Sequence, residues 1–217
     1  MKKIVLSLAA LATLGFAEGT AVQNAPANET KIDETGFYAG LGISAMSSRD
    51  SSVSMDIFDV TYGQDRLGNI NLIAGYMIND YLAVEGRYAT TFTDEDRVEL
   101  SSQWGLFVKP LYKFDDDDNR AAGDDYWAVY ALLGYGNATL EGTNGAITDV
   151  DDGGFQWGIG LSYTFREHSD AEEYQYKDVW TIFFDYTFVG SDMDGYYYNG
   201  ARKVDADAFT VGLTYKF

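Results

Sequence analysis

The chain closes with Phe209-Thr210-Val211-Gly212-Leu213-Thr214-Tyr215-Lys216-Phe217, and this stretch decides the fold. Apolar residues occupy every second position, whereas the positions between them are small or polar. Because successive side chains of a strand point to opposite faces, the stretch predicts a strand with one apolar and one polar face. The last residues of a soluble domain usually fray. A terminal aromatic residue therefore favours a strand between lipid and a polar lumen.

Seven further stretches upstream show the same alternation. Each runs for about 9 to 12 residues, the length that a tilted strand needs to cross a bilayer. The apolar sets of the eight runs start at Phe37, Ile70, Leu82, Trp104, Val129, Phe155, Trp180 and Phe209. The sequence therefore predicts an all-β fold, an eight-stranded antiparallel up-and-down transmembrane β-barrel over residues 36–217.

The fifth run, 126–136, is apolar on both faces, and we assign Val129, Ala131, Leu133 and Tyr135 to the outside. An even number of strands places both termini at one end of the barrel, which we call the terminal end; the other is the distal end. The expected terminal connections are 78–81, 115–125 and 166–178, and the expected distal connections are 47–68, 93–99, 137–153 and 189–205. Three of these distal connections are long, which is typical of the extracellular side.

The N-terminus has the pattern of a secretory signal peptide. Lys2 and Lys3 precede an apolar stretch from Ile4 to Leu14 and the small-residue segment 15–17. We expect cleavage after Ala17, so that residues 1–17 are a signal peptide and 18–35 a flexible N-terminal leader. Since export delivers a transmembrane barrel from the periplasm, we expect periplasmic termini.

Composition excludes several classes of function. The formal charge of −19 becomes −21 when Lys2 and Lys3 are removed with the signal peptide, and such a chain repels nucleic acid. The absence of cysteine excludes disulfides, thiolate metal sites and a cysteine nucleophile. We therefore expect no nucleic-acid partner, and we expect no cofactor.

The charged residues on predicted inward faces include Glu85, Arg87, Lys109 and Asp185. The interior of an eight-stranded barrel is just wide enough for side chains to fill it, and charges there must pair or stay wet. Arg87 and Lys109 can bridge Glu85, with Asp185 reaching across the lumen. The pattern favours a salt-bridged plug over a gate for small ions.

Acidic segments in the expected connections supply ligands for hard cations. Weak Ca²⁺ or Mg²⁺ binding is one interpretation, and solvated turns are the favoured one. The acidic residues are Asp149, Asp151 and Asp152 ahead of Gly153, the run 115–118, and Asp192 and Asp194 ahead of Gly195.

His168 is the only histidine, so any Ser-His triad must use it. It lies beside Ser169 in an expected terminal connection, where an exposed turn histidine is the favoured interpretation.

Aromatic residues cluster near the ends of the outward faces and predict a membrane-interface girdle. The alternative is the packed core of a soluble sandwich. The residues concerned are Trp104, Tyr112, Trp157, Phe165, Trp180, Phe188, Phe209 and Phe217.

The opening segment 36–42, the eight alternating runs and the closing segment 209–217 resemble the small outer-membrane β-barrel family of Gram-negative bacteria, with its OmpA/OmpX-like and opacity-like porin-family members. The resemblance implies a monomeric barrel in contact with outer-membrane lipids, with a structural or surface role, a narrow porin-like pore or an adhesin. It also implies that Phe209, Val211, Leu213, Tyr215 and Phe217 form the signal read by the barrel-assembly machinery. An outer-membrane lipid-modifying barrel enzyme is the alternative, although we expect no enzymatic activity.

Overall fold

The computed structural model describes residues 35–54, 64–92, 98–114, 125–142, 149–166, 179–194 and 203–217. None of its helices is both long and apolar enough to cross a membrane within these ranges. The described chain forms eight strands: β1 (Gly36–Asp50), β2 (Gln64–Asn79), β3 (Leu82–Thr91), β4 (Val98–Phe114), β5 (Tyr126–Gly142), β6 (Val150–Arg166), β7 (Val179–Asp194) and β8 (Lys203–Lys216).

The strands close into one antiparallel barrel in chain order, with β8 paired to β1. The closing seam runs from Tyr38 opposite Lys216 to Asp50 opposite Val204. Beyond the last pair, the Phe217 amide donates to the Phe37 carbonyl at 2.9 Å. The predicted eight-stranded barrel is therefore confirmed, and the strand that ends the chain closes it.

Large apolar side chains cover the outside of the barrel. On β6, Phe155 and Ile159 are 63% and 58% exposed, whereas Gln156 between them is fully buried. On β5, Val129, Leu133 and Tyr135 are exposed, so the assigned parity of this strand is correct. A soluble sandwich would hide these residues, whereas a barrel in lipid places them outward.

The predicted girdle residues form pairs eight positions apart on four strands: Trp104 and Tyr112, Trp157 and Phe165, Trp180 and Phe188, Phe209 and Phe217. Eight strand residues span about 26 Å. With a strand tilt of about 40°, the two rings of aromatic residues lie roughly 20 Å apart along the barrel axis, close to the height of an outer-membrane apolar band.

The predicted distal connections are too long. Strands occupy the residues 47–50, 64–68, 98–99, 137–142, 150–153, 189–194 and 203–205, which were expected to be loops. Their inward positions carry apolar residues such as Leu67, Leu140 and Val204 that pack inside the barrel. Bulges in β4 and β7 interrupt the alternation, which concealed these strand ends. The terminal connections agree with the expected ranges to within about two residues.

Longer strands also change the predicted charge map. Many acidic residues of the expected distal connections belong to the distal ends of the strands: Asp50, Asp65, Glu99, Glu141, Asp151, Asp152, Asp192, Asp194 and Asp205. Several of them face outward, such as Glu99, which lies directly opposite Glu141. The distal wall is therefore an acidic strand surface.

Pro110 lies four residues inside the end of β4, on the exposed face. The ladder with β5 lapses there, between the pairs Val108–Leu133 and Leu111–Tyr130, although the pairing of Pro110 with Leu82 of β3 is kept. Proline has no amide hydrogen to donate to a neighbouring strand. The barrel accommodates it with a local gap in the ladder and no change of register.

Two apolar clusters fill the interior. The distal cluster consists of Met46, Leu67, Ala89, Val98, Leu100, Ala138, Leu140, Val150, Val189, Met193, Val204, Ala206 and Ala208. The terminal cluster consists of Tyr38, Ile73, Met77, Ala83, Phe107, Tyr130, Leu132 and Phe183, with Leu111 packed against it. The predicted lumen charges lie among the side chains of the terminal cluster.

Candidate functional site in the barrel lumen

The structure brings the four predicted lumen charges together. Arg87 Nε donates to Glu85 Oε1 at 2.7 Å, and Lys109 Nζ donates to Glu85 Oε2 at 2.8 Å. The two terminal nitrogens of Arg87 bind the two oxygens of Asp185 at 3.0 and 2.7 Å. Because β3 and β7 lie on opposite sides of the barrel, the Arg87–Asp185 pair spans the lumen.

Two tyrosines that the sequence pattern did not predict complete this network. Tyr38 donates its hydroxyl hydrogen to Glu85 Oε2 at 2.7 Å, and Tyr130 donates to Asp185 Oδ2 at 2.8 Å. Both tyrosines are nearly buried. Each buried carboxylate thus accepts bonds from a cation and from a phenol.

A glycine on the intervening strand lets each tyrosine reach its carboxylate. Tyr38 is opposite Gly75, and Gly75 is opposite Glu85. A Cβ at Gly75 would collide with the Tyr38 ring. The phenol therefore crosses one strand over a glycine and meets the acid on the next.

The same arrangement of tyrosine, glycine and acid occurs on the other side of the barrel. Tyr130 is opposite Gly160, which is opposite Asp185. A Cβ at Gly160 would collide with the Tyr130 ring. A tyrosine, a glycine and an acid at consecutive register positions are the sequence signal that could have identified both tyrosines.

Two phenylalanines flank the guanidinium of Arg87. Its central carbon lies 5.5 Å from the centre of the Phe183 ring and 6.0 Å from that of Phe107. Both rings also lie over glycines, Phe183 over Gly212 and Phe107 over Gly134. Arg87 uses all three of its nitrogens and packs against aromatic faces, which is an arrangement that holds a guanidinium in one position.

The network is electrically neutral, with two cations and two carboxylates. Side-chain exposure is 6% for Arg87, 1% for Glu85, 0% for Asp185 and 13% for Lys109. Lys109 Nζ also lies 4.2 Å from the centre of the Tyr130 ring. Ions buried to this extent persist only when they are paired and hydrogen-bonded. The four charges and two phenols therefore behave as one unit.

A buried amide lies next to this unit. Gln156 is fully buried, and neither its oxygen nor its nitrogen has a hydrogen-bond partner among the described residues. Its oxygen lies against the positions where Gly105 and Gly136 would carry a Cβ. The two glycines provide the space that this side chain occupies.

The distal wall has its own polar contacts. Arg49 pairs with Asp207, and Asp205 accepts bonds from the Ser191 hydroxyl at 3.2 Å and the Asp192 amide at 2.9 Å. Asp192 has φ 52°, a left-handed conformation at the bulge of β7. The Asp205 carboxylate thus holds the bulge in place.

Lys203 lies at the start of β8, beyond the aromatic girdle. Its Nζ donates to Asp194 Oδ1 at 2.7 Å. This hydrogen bond is the main cause that raises the pKa of the Lys203 ammonium above its ordinary value. The pair is solvent-exposed, and we assign it a small contribution to stability.

The predicted cation ligands are used in part as hydrogen-bond acceptors. Asp151 accepts from Asn137 at 3.0 Å and Thr139 at 3.3 Å, and Asp152 accepts from the amide of Gly153 at 2.8 Å. Among the described residues, no three acidic or histidine side chains are grouped so that they could hold a metal ion. The run 115–118 and His168 lie outside the described residues. Cation binding and the alternative enzyme therefore stay predictions.

The predicted assembly signal lies on the outward face of β8. Phe209, Val211 and Leu213 are each about two-fifths exposed. Phe217 is 74% exposed and packs edge-on against Tyr215, with the ring centres 5.1 Å apart. These side chains are accessible in the closed barrel.

We expect Arg87→Met to lower the free energy of unfolding by about 3–5 kcal/mol, because Glu85 and Asp185 would remain buried with less compensation. Urea titration of the refolded barrel in detergent micelles measures this change. Lys203→Met is the matched control, since an exposed ion pair contributes little to stability. Equal effects of the two substitutions would contradict the proposed energetic role of Arg87.

Comparison with known proteins agrees with this architecture. A family model described as an outer membrane protein beta-barrel domain matches residues 7–217. A search of curated proteins finds no match.

Among solved structures, Neisserial surface protein A is 16% identical with a TM-score of 0.46, covering 84% of this chain and 97% of that one. Ail from Yersinia pestis, in complex with the heparin analogue sucrose octasulfate, is 14% identical with a TM-score of 0.43, covering 85% and 99%. OprG from Pseudomonas aeruginosa is 16% identical with a TM-score of 0.40, covering 85% and 97%. Because the family model spans nearly the whole chain, the protein belongs to the outer membrane β-barrel domain family.

Proposed function

We propose that the protein is a structural outer-membrane barrel with a closed lumen and a surface role for its distal end. The observation that carries this proposal is the double filling of the interior. The Arg87 network crosses the terminal half, and the distal cluster fills the other half. An eight-stranded barrel has little interior space beyond what side chains occupy.

The first closure is ionic. Arg87 binds Glu85 on its own strand and Asp185 on the far wall, and Phe107 and Phe183 lie beside its guanidinium. A passing ion would have to separate these charges and replace their hydrogen bonds. Separation of buried charges is costly because each would be left without a partner.

The second closure is apolar. Met46, Leu67, Leu100, Leu140 and Val150 are each at most 1% exposed in the distal half. Neither water nor an ion finds hydrogen-bond partners among such side chains, and hydrophobic constrictions exclude both by dewetting. The distal cluster therefore blocks the lumen independently of the charges.

A narrow pore gated by the Arg87 network is the second candidate. It is favoured by a cavity at the terminal end that is lined by Lys109 and leads to the network. Opening this path also requires rearrangement of the distal cluster, which makes the closed barrel the better-supported proposal.

Planar-bilayer recording distinguishes the two candidates. We expect no steady conductance steps from the refolded wild-type barrel, and none from Arg87→Ala, because the distal cluster remains in both. Lys203→Ala serves as a surface-charge control. Discrete steps in the wild type would overturn the closed lumen, and steps confined to Arg87→Ala would identify the network as the gate.

We propose further that the distal end faces the cell exterior and the termini face the periplasm. Between outward-facing aromatic residues of neighbouring strands, the connecting segments 136–154 and 189–208 at the distal end are longer than 113–126 and 166–179 at the terminal end. Barrels of this kind have longer extracellular than periplasmic segments. Export through the expected signal peptide also supports periplasmic termini.

Because the chain has no cysteine, single-cysteine variants report this orientation directly. Glu141 is exposed at the distal end, and Asp125 is exposed at the terminal end. We expect a membrane-impermeant maleimide to label Glu141→Cys on intact cells and Asp125→Cys only after the outer membrane is permeabilised. The reverse labelling pattern would contradict the proposed orientation.

The proposed surface role has a defined electrostatic character. The outward distal wall carries Glu99, Glu141, Asp149 and Asp151. Such a wall repels polyanions and attracts cationic partners or divalent cations that bridge it to lipid phosphates. Outer-membrane lipids, with divalent cations between them and this wall, are thus the partners we propose for the barrel as a monomer.

We also propose that the outward face of β8 is the segment read by the barrel-assembly machinery. Its exposed aromatic and branched side chains remain available at the seam, and Phe217 lies at its end. Deletion of Phe217 should lower the level of folded barrel in the outer membrane several-fold, while refolding in detergent is retained. Phe217→Tyr is the matched control, because it keeps an aromatic ring. Normal insertion of the truncated chain would contradict this proposal.

A further inference from the structure

The closing seam differs from every other strand pair of the barrel in its covalent connection. The strands follow one another around the barrel in chain order, so a turn or loop joins each pair of neighbours except β8 and β1. The seam between β8 and β1 depends on non-covalent contacts alone. Contacts across the seam must therefore hold its distal part closed.

An ion pair lies across this distal part. Arg49 on β1 is directly opposite Asp205 on β8. Arg49 Nη1 donates to Asp207 Oδ2, and Arg49 Nη2 lies 4.0 Å from Asp205 Oδ2. The two terminal nitrogens of one guanidinium thus face two carboxylates of the other strand. We call these three residues the seam clasp.

The seam clasp lies on the outward side of the barrel wall and is nevertheless buried. Arg49 has the same parity on β1 as the lipid-facing Ile43, and Asp207 has the same parity on β8 as Phe209. Side-chain exposure is 9% for Arg49 and 1% for Asp207. Glu141, which also lies on the outward distal wall, is exposed. The seam clasp is therefore distinct from the solvated acidic surface around it.

The seam clasp also reaches the bulge of β7. Asp205 accepts hydrogen bonds from the Ser191 hydroxyl at 3.2 Å and from the Asp192 amide at 2.9 Å. The φ of 52° at Asp192 is uncommon for a residue other than glycine, so contacts from outside the bulge must hold it. One guanidinium thereby connects the first strand, the last strand and the irregular end of β7.

Loss of the guanidinium would leave the buried Asp207 carboxylate without its cation. A buried charge whose partner is removed is strongly destabilising, and the carboxylate regains hydration when the seam around it separates. Little of the seam lies beyond Arg49: the Asp50–Val204 pair and a bond of 3.2 Å from the Ser51 amide to the Lys203 carbonyl. Opening this short distal part breaks far fewer contacts than unfolding the barrel does.

We propose that the seam clasp is a lock that couples the distal seam to the bulge of β7. Without Arg49, the two regions open together and separately from the rest of the barrel. The opening exposes inward side chains of the distal cluster beside the seam, whereas the Arg87 network continues to hold the terminal half. The seam clasp thus keeps the distal end of the barrel in one shape.

Cysteine accessibility measures this opening directly, because the chain has no cysteine of its own. Ala206 is fully buried beside the seam clasp, and Met193 is buried at the bulge. Ala138 is buried in the same distal cluster, but on β5 at the opposite wall. Each is replaced by cysteine in turn, and the rate of reaction with a small maleimide is measured on the refolded barrel in detergent micelles.

We expect Arg49→Met to raise the reaction rates of Ala206→Cys and Met193→Cys roughly tenfold or more, because a local opening equilibrium sets these rates. The rate of Ala138→Cys should stay unchanged. Asp194→Asn is the matched control, since it alters a solvent-exposed ion pair between β7 and β8 and should change none of the three rates.

Three results would overturn the proposal. Unchanged labelling of Ala206→Cys in Arg49→Met would mean that the ion pair does not hold the seam. Acceleration at Ala206→Cys without Met193→Cys would mean that the bulge is not coupled to it. Equal acceleration at Ala138→Cys would indicate general loosening of the barrel and no separate opening at the seam.

If Arg49→Met does not fold, Asp205→Asn provides a milder test. It keeps the side-chain shape and removes the charge that faces both Arg49 and the bulge. Faster labelling of Ala206→Cys and Met193→Cys in Asp205→Asn supports the seam clasp, and unchanged labelling counts against it.

Discussion

The burial of one guanidinium constrains the rest of the lumen. Arg87 has no neutral form at physiological pH, so a fold that buries it must provide negative charge and hydrogen-bond acceptors on all sides. Glu85 meets this need from the same strand and Asp185 from the opposite wall. The same two acids also accept hydrogen bonds from Lys109 and two tyrosines. Each partner fixes a strand position, because a slip of one residue would turn the side chain toward lipid.

The positions of four glycines fix the strand register that these contacts require. The inward aromatics Tyr38, Phe107, Tyr130 and Phe183 each lie over a glycine on the following strand: Gly75, Gly134, Gly160 and Gly212. Any larger residue at these glycines would push a ring out of the network or into the opposite wall. These contacts between a ring and a glycine pack the lumen closely, and the two tyrosines add hydrogen bonds. Together they specify the strand pairs β1–β2, β4–β5, β5–β6 and β7–β8.

Alternation sufficed to predict the barrel, its seam and the outward face of the ambiguous strand β5, because lipid requires apolar side chains at every second position. The inward position of the four lumen charges could be predicted for the same reason, since a charged residue on a membrane-spanning strand must face away from lipid. The role of the two tyrosines could not be predicted from the sequence. Nothing in their own strands distinguishes Tyr38 and Tyr130, and only the register places them opposite Gly75 and Gly160. Pairing across strands is a property of the closed barrel and not of any single run.

The distal strand ends were missed for a different physical reason. Outside the bilayer a strand needs no apolar outer face, so polar residues such as Asp151 and Thr139 occupy outward positions there. Many inward positions remain apolar, such as Leu140 and Val204, but the bulges between Leu100 and Ser102 and between Gly190 and Met193 shift their period. These extensions carry the apolar closure of the lumen and the acidic outer wall. The part of the chain that most resembled loops therefore contains the features that separate a closed surface barrel from a pore.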